Sequence, residues 1–343
     1  MTIAILPPPP GETANPAPVR SANSLRRTSS IDVSFPNGWE GDRLFHGRAR
    51  DYLTCVSGKP GKVCAEASME VALTTADRMI TAISANPAPA GLQKLVGQRG
   101  GSHLRLFVRE AMPDLLEGGA PLYLLLDDIS GTSLVSTWGL SHWDPDWLER
   151  AAASVPAQQR RQLEDRAGVC WGLKPGNSGL DISQARGSVG RADAGELRNP
   201  LDPEGWHDFP VIEGASFRRA RRIDVVRDEA AGLIHIDSAF QDSSPRMDGH
   251  RAAIHEYRLR ATADFATHKL LTLSPEPRIL PFPECPGAVG NAQRLIGARL
   301  EDIRDAVLAE LRGPEGCTHL NDALRALAEV PKLTPYLDTL QPA

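Results

Sequence analysis

His255 and Tyr257 stand two residues apart in a stretch that alternates like a strand, and His319 follows Cys317 in Gly316-Cys317-Thr318-His319-Leu320-Asn321-Asp322. Alternation puts His255 and Tyr257 on one face with Leu259, Ala261 and Ala263, where an imidazole beside a phenol makes a proton-transfer pair. His319 falls in the first turn of a helix that Thr318 is placed to cap. The positive helix end disfavours an imidazolium, which keeps the ring neutral and able to act as a base. Each group also has a plainer reading: a core pair with satisfied polar tips, and a histidine hydrogen-bonded for structure.

Arg218, Arg219, Arg221 and Arg222 lead into a strand, so alternation sends Arg219 and Arg221 to one face and Arg218 and Arg222 to the other. Guanidinium forks grip carboxylates or phenolates at two points, which suits an anionic substrate. Salt bridges to Asp224, Asp237 or Asp242 are the competing use. Cys285, Cys317 and His319 together offer zinc the donors it prefers. Against that, Cys285 stands alone 32 residues before Cys317, and Cys317 shares a stripe with Leu320 and Leu324, as a small buried residue would. Five of the six tryptophans lie between 136 and 210, among them Trp171 and Trp206. They either wall an aromatic ligand pocket or cover exposed sheet. Without a GxSxG, P-loop, HExxH or dinucleotide fingerprint, the simplest mechanism uses no cofactor.

The elements that must position these groups occur twice. Arg26-Arg27-Thr28-Ser29-Ser30-Ile31-Asp32-Val33 returns as Arg218-Arg219-Ala220-Arg221-Arg222-Ile223-Asp224-Val225, with five of eight positions identical. Gln93-Lys94-Leu95-Val96-Gly97-Gln98-Arg99 returns as Gln293-Arg294-Leu295-Ile296-Gly297-Ala298-Arg299, in the same order along the chain. Two ordered matches predict an internally duplicated α+β unit, antiparallel strands first and helices after. In the second copy the strands are expected at Arg222–Val226, Leu233–Phe240, from Ile254 onward and at Lys269–Leu273. The apolar series Leu295, Ile296, Leu300, Ile303, Val307 and Leu311 follows as a helix broken near Gly297. The organisation is then a disordered Pro-rich arm (1–24), a first repeat (25–135), a Trp-rich insertion or linker (136–210), a second repeat (211–330) and a C-terminal tail (331–343). Within the insertion, Asp146–Ala167 reads as a polar helix and Gly168–Pro203 as a long loop.

The chain's 343 residues can bury a sizeable core. A formal charge of -5 argues against nucleic-acid binding through net positive charge. Five scattered cysteines without a CxxC pair read as reduced, in a cytoplasmic protein. No run approaches the roughly 18 to 20 apolar residues of a membrane span, so no membrane partner is expected. The expected partner is a small aromatic molecule, and a homodimer is left open.

The motifs RRxxxIDV (Arg218–Val225), HEY (His255–Tyr257), LPFPEC (Leu280–Cys285), LIG (Leu295–Gly297) and GCTHLND (Gly316–Asp322) together resemble a bacterial family of unknown function, over most of residues 25 to 330. Its members look like proteins encoded among genes for degrading aromatic compounds, and some are similar to lyases that remove formaldehyde from lignin-derived phenylcoumarans. The resemblance implies acid/base chemistry through a quinone methide, yielding a stilbene with no cofactor. His255, Tyr257 and His319 would then move protons, Arg219 and Arg221 would hold phenolate or carboxylate, and Trp171 or Trp206 would stack on a ring.

Overall fold

In a computed structural model, residues 11–38, 41–55, 61–143, 146, 166–180 and 192–339 are described. Four strands come first, β1 (Ser24–Ser34), β2 (Arg43–Thr54), β3 (Lys62–Leu73) and β4 (Ile80–Asn86). Helices α1 (Ser102–Ala111), α2 (Pro113–Glu117) and α3 (Pro121–Val135) follow. After a two-residue strand β5 (Ala192–Asp193), the pattern recurs with β6 (Ser216–Asp228), β7 (Leu233–Pro245), β8 (Arg251–Asp264) and β9 (Leu270–Ile279). Three helices close the chain, α4 (Ile303–Glu310), α5 (Thr318–Arg325) and α6 (Val330–Leu337). The architecture is α+β.

The nine strands among the described residues make one antiparallel sheet, ordered β4-β3-β2-β1-β6-β7-β8, with β9 and β5 both on the far side of β8. The two meanders meet at β1 and β6, which pair without a bulge from Ser24 opposite Val226 to Ser34 opposite Ser216. The recurring Gln-x-Leu-x-Gly-x-Arg motif builds the same corner in both halves. Gln93 donates to the Ile83 carbonyl and Gln293 to that of Leu273. Gly97 and Gly297 take φ of 83° and 95°, a left-handed conformation that costs glycine nothing, and their N–H groups bond Ile80 and Leu270.

The helices cover one face of this sheet. Helix α3 is apolar on every side from Leu122 to Leu126 and is buried at every position but Leu134. Two apolar clusters form beneath the helices, one centred on β2, β3 and α3, the other on β7, β8 and α5. Between them, Arg27, Arg219 and Arg221 point inward from the central strand pair and are almost wholly buried.

The opposite face is covered by chain that lacks regular structure, and this corrects the expected disordered arm for residues 11–24. Thr13 Oγ1 donates to Glu256 at 2.8 Å, Arg20 pairs with Asp202 at 2.6 Å, and Ala17 packs with Leu197, Trp206 and Ala220. The outward residues of β6 to β8 are too polar to need an apolar lid but need partners, which this segment supplies. The expected tail is likewise corrected over 331–337, where α6 buries Leu333 and Leu337. Most of the helix expected at Asp146–Ala167, and Trp147, lie outside the described residues. No helix among the described residues is long and apolar enough to cross a membrane.

Candidate functional site

Strand β8 delivers His255 and Tyr257 to the helix-covered face, as alternation requires, and β7 brings Asp242 alongside through the pairing of Asp242 with His255. Helix α5 lowers His319 onto this patch. The rings of His255 and His319 stack with centroids 3.4 Å apart and planes 17° apart. His255 Nδ1 lies 3.2 Å from Asp242 Oδ2. A carboxylate there fixes the tautomer with the proton on Nδ1, leaving Nε2 to accept one.

Burial would raise the Asp242 carboxyl, but Arg219 overcomes this and holds it well below the ordinary range. Arg219 grips both Asp242 oxygens at 2.9 Å. The opposite holds for His319, which burial first, and the His255 ring second, push well below the usual imidazole value. Its side chain is only partly buried, so this ring is the edge of the patch nearest solvent. Thr318 does not cap α5: Cys317 occupies the N-cap position, and the Thr318 hydroxyl lies 3.4 Å from His319 Nδ1.

Behind the patch runs a continuous buried ion network. Arg219 reaches Asp322, Arg105 joins Asp322, Arg221 forks onto Asp128, and Asp127 binds Arg304 and Arg325. Glu329 then links Arg304 to Arg27, which forks onto Asp51. Six guanidiniums meet six carboxylates, so the network is neutral when both histidines are neutral. Such pairs fix geometry more than they stabilise, because desolvation offsets their attraction.

This arrangement corrects the expected roles of Arg219 and Arg221. Both are about 1% exposed, and their forks are taken by Asp242, Asp322 and Asp128, so neither is free to hold a substrate. Trp206 is also displaced, packed on the other side of the sheet against Ala17 and Ala220. Trp171 remains on the helix side, its backbone N–H donating to the Gly316 carbonyl at 2.7 Å, with Lys174 Nζ 3.3 Å from its ring centroid. Tyr257 is fully buried and points its hydroxyl at Cys317 Sγ, 3.5 Å away. Burial, with Cys317 next, raises the phenol well above its ordinary value.

The expected Cys285, Cys317 and His319 metal set does not assemble. Cys317 turns inward to Tyr257, while His319 leaves the helix two residues on and on another side. Burial, with Cys317 next, pushes the Cys285 thiol up to about 12, far from the thiolate a metal needs. Among the described residues, the one set of three donors within 4.8 Å of one another is Asp242, His255 and His319. Their orientation suits an ion poorly. Imidazole lone pairs lie in the ring plane, and stacked planes do not converge on a point, while Asp242 already serves a guanidinium.

A family described as a protein of unknown function (DUF2889) matches residues 217–332. The match takes in Arg219, Asp242, His255, Tyr257, His319 and Asp322. No curated protein and no solved structure matches this chain. Arg27, Asp51, Arg105, Asp127 and Asp128, which complete the network, lie outside the matched region.

Sequence reasoning missed α3's contribution. Its signal was present: two adjacent acids, Asp127 and Asp128, directly follow the apolar run Leu122–Leu126. Carboxylates buried beside such an apolar run need cationic partners.

Proposed function

We propose that this chain is a cofactor-independent carbon–carbon lyase acting on a lignin-derived, phenylcoumaran-type aromatic, with His319 and His255 exchanging protons and Asp242 positioning His255. The reaction class comes from the motif resemblance. The observation that carries the site assignment is the Asp242–His255–His319 stack, with His319 its least buried member and a charge-balanced network behind it.

A base removes the para-phenol proton, and the electron pair pushed through the ring expels the furan aryl oxygen, giving a quinone methide. The departing phenoxide takes a proton from the acid. A base then removes the γ-hydroxyl proton and the Cβ–Cγ bond breaks, releasing formaldehyde while its electron pair restores the phenolate as a stilbene. Atoms and charge balance without a redox partner. Each proton transfer is worth about 10² to 10⁴-fold. His319 is neutral near pH 7 and has a lone pair to accept a proton, at lower basicity than a free imidazole, and Trp171 supplies an aromatic surface on the same side of the sheet.

Purified, metal-analysed protein incubated with phenylcoumaran dimers should release formaldehyde in step with stilbene absorbance. His255→Gln and His319→Gln should each lower the rate by about 10² or more while leaving the fold intact by circular dichroism. Silence across the dimers would overturn the lyase reading, and stoichiometric bound zinc required for turnover would overturn the acid/base one.

A further inference from the structure

The sheet's opposite face carries a second feature, independent of the histidine stack. Where β6, β7 and β8 meet the chain at 193–209, a cavity of about 310 Å³ opens, lined by Arg198, Phe209, Arg218, Gln241, Ser243 and Arg251 among others. That volume sits at the lower end of small-molecule sites, about 300 to 1,000 Å³.

Arg251 makes no ion pair among the described residues. Among the described residues its guanidinium bonds Ser243, at 3.2 Å to the hydroxyl and 3.0 Å to the carbonyl. Burial, with Arg218 next, pushes it down to about 10, and Asp32 and Glu196 offset this only in part. Arg218 is neutralised by Asp32 on one side and lies 4.1 Å over the Phe209 ring on the other. Arg198 reaches the same ring at 5.5 Å and pairs with Asp208. Asp193 and Glu196 also line the cavity, while Asp208 and Asp32 are taken by Arg198 and Arg218, so among the described residues Arg251 is the one lining guanidinium without a carboxylate at ion-pair distance.

We propose that this cavity binds a small organic anion, with its carboxylate or phosphate on Arg251 and Arg218 and its apolar body against Phe209. An anion would supply the partner that Arg251 lacks, through the two-point contacts that guanidinium favours. The site lies across the sheet from the histidines and does not depend on the lyase reading.

Titration calorimetry and thermal shift with benzoate, phenyl phosphate and inorganic phosphate test it, with benzyl alcohol as the neutral control. Saturable binding of at least one anion, weakened tenfold or more by Arg251→Gln and less by Arg251→Lys, is expected. Benzoate binding alone would mark a carboxylate ligand, and binding of both phosphates a phosphoryl one. Arg251→Gln should also melt higher than wild type without ligand, since it removes an unpaired charge, so lost binding would not reflect lost folding. Arg198→Gln, altering a more exposed side chain, should weaken binding in a salt-dependent way. Absence of saturable binding, undiminished affinity in Arg251→Gln, or equal affinity for benzyl alcohol would overturn the assignment.

Discussion

His319 lies face to face on His255, with 3.4 Å between ring centroids, so protonating one ring raises the cost of protonating the other. On the far side of the sheet, His207 is held between the hydroxyls of Thr28 at 2.8 Å and Ser30 at 2.9 Å and is pushed down to about 3. For both His319 and His207 the folded protein binds protons less readily than the unfolded chain, whose histidines titrate near ~6.5. Their stabilising contribution is therefore complete above about pH 6.5 and is lost as pH falls toward the folded values. His207 alone should remove about 2 kcal/mol between pH 6.5 and 5. Urea midpoints followed from pH 7 to 5 should fall, with a shallower slope in His207→Gln. A protein that gained stability on acidification would contradict this.

Asp242 is the joint between the network and the stack, accepting from Arg219 Nε and Nη2 at 2.9 Å and lying 3.2 Å from His255 Nδ1. Asp242→Asn leaves a buried guanidinium short of one carboxylate and frees the His255 ring to turn. A loss of about 3 to 5 kcal/mol is expected, read from denaturant midpoints. Asp242→Glu should recover only part of it, because the longer side chain cannot hold both contacts in that space. Wild-type stability in Asp242→Asn would mean that the network carries no uncompensated charge.

Gly131 sits inside α3, where alanine would ordinarily favour a helix by about 1 kcal/mol. A methyl group there would collide with Arg219 Nη1 and Asp322 Oδ2. Gly131→Ala should therefore destabilise by about 1 to 3 kcal/mol against its helix propensity, by forcing apart the pair that backs the histidines. Thermal melting would show it, and a rise in melting temperature would mean that Arg219 has room to move.

The sequence made some of this legible and hid the rest for definite reasons. Period-two alternation placed His255 with Tyr257, and Arg219 with Arg221, on the correct face, because one side of the sheet is buried against helices. It could not say what fills that face. Asp242, which grips Arg219 from the neighbouring strand, was open to the sequence as a salt-bridge partner, but Asp128 and Asp322 come from α3 and α5, about 90 and 100 residues away in the chain, and pairing at such distance leaves no local pattern. Trp206 was misplaced for a related reason: the segment carrying it has no periodicity from which a face can be read. The repeated motif around Gly97 and Gly297 was visible as a repeat, but the helix expected through Leu295 and Ile296 is a 3-10 turn that ends at Leu295, with Ile296 extended and Gly297 left-handed, and helix resumes only from Leu300.

Tyr257 separates a buried structural phenol from a catalytic one. Its hydroxyl contacts Cys317 Sγ at 3.5 Å within the core, and burial holds the proton on oxygen. Sulfur is a weak acceptor, so Tyr257→Phe removes little bonding and leaves no strong group unsatisfied. The expected stability change is within about 1 kcal/mol. If His319 and His255 carry the proton transfers, formaldehyde release by Tyr257→Phe should stay above the 10²-fold loss typical of a removed acid or base. A loss of that size with an unchanged melting temperature would return the acid's role to Tyr257, and would require the Cys317 side of α5 to open toward substrate.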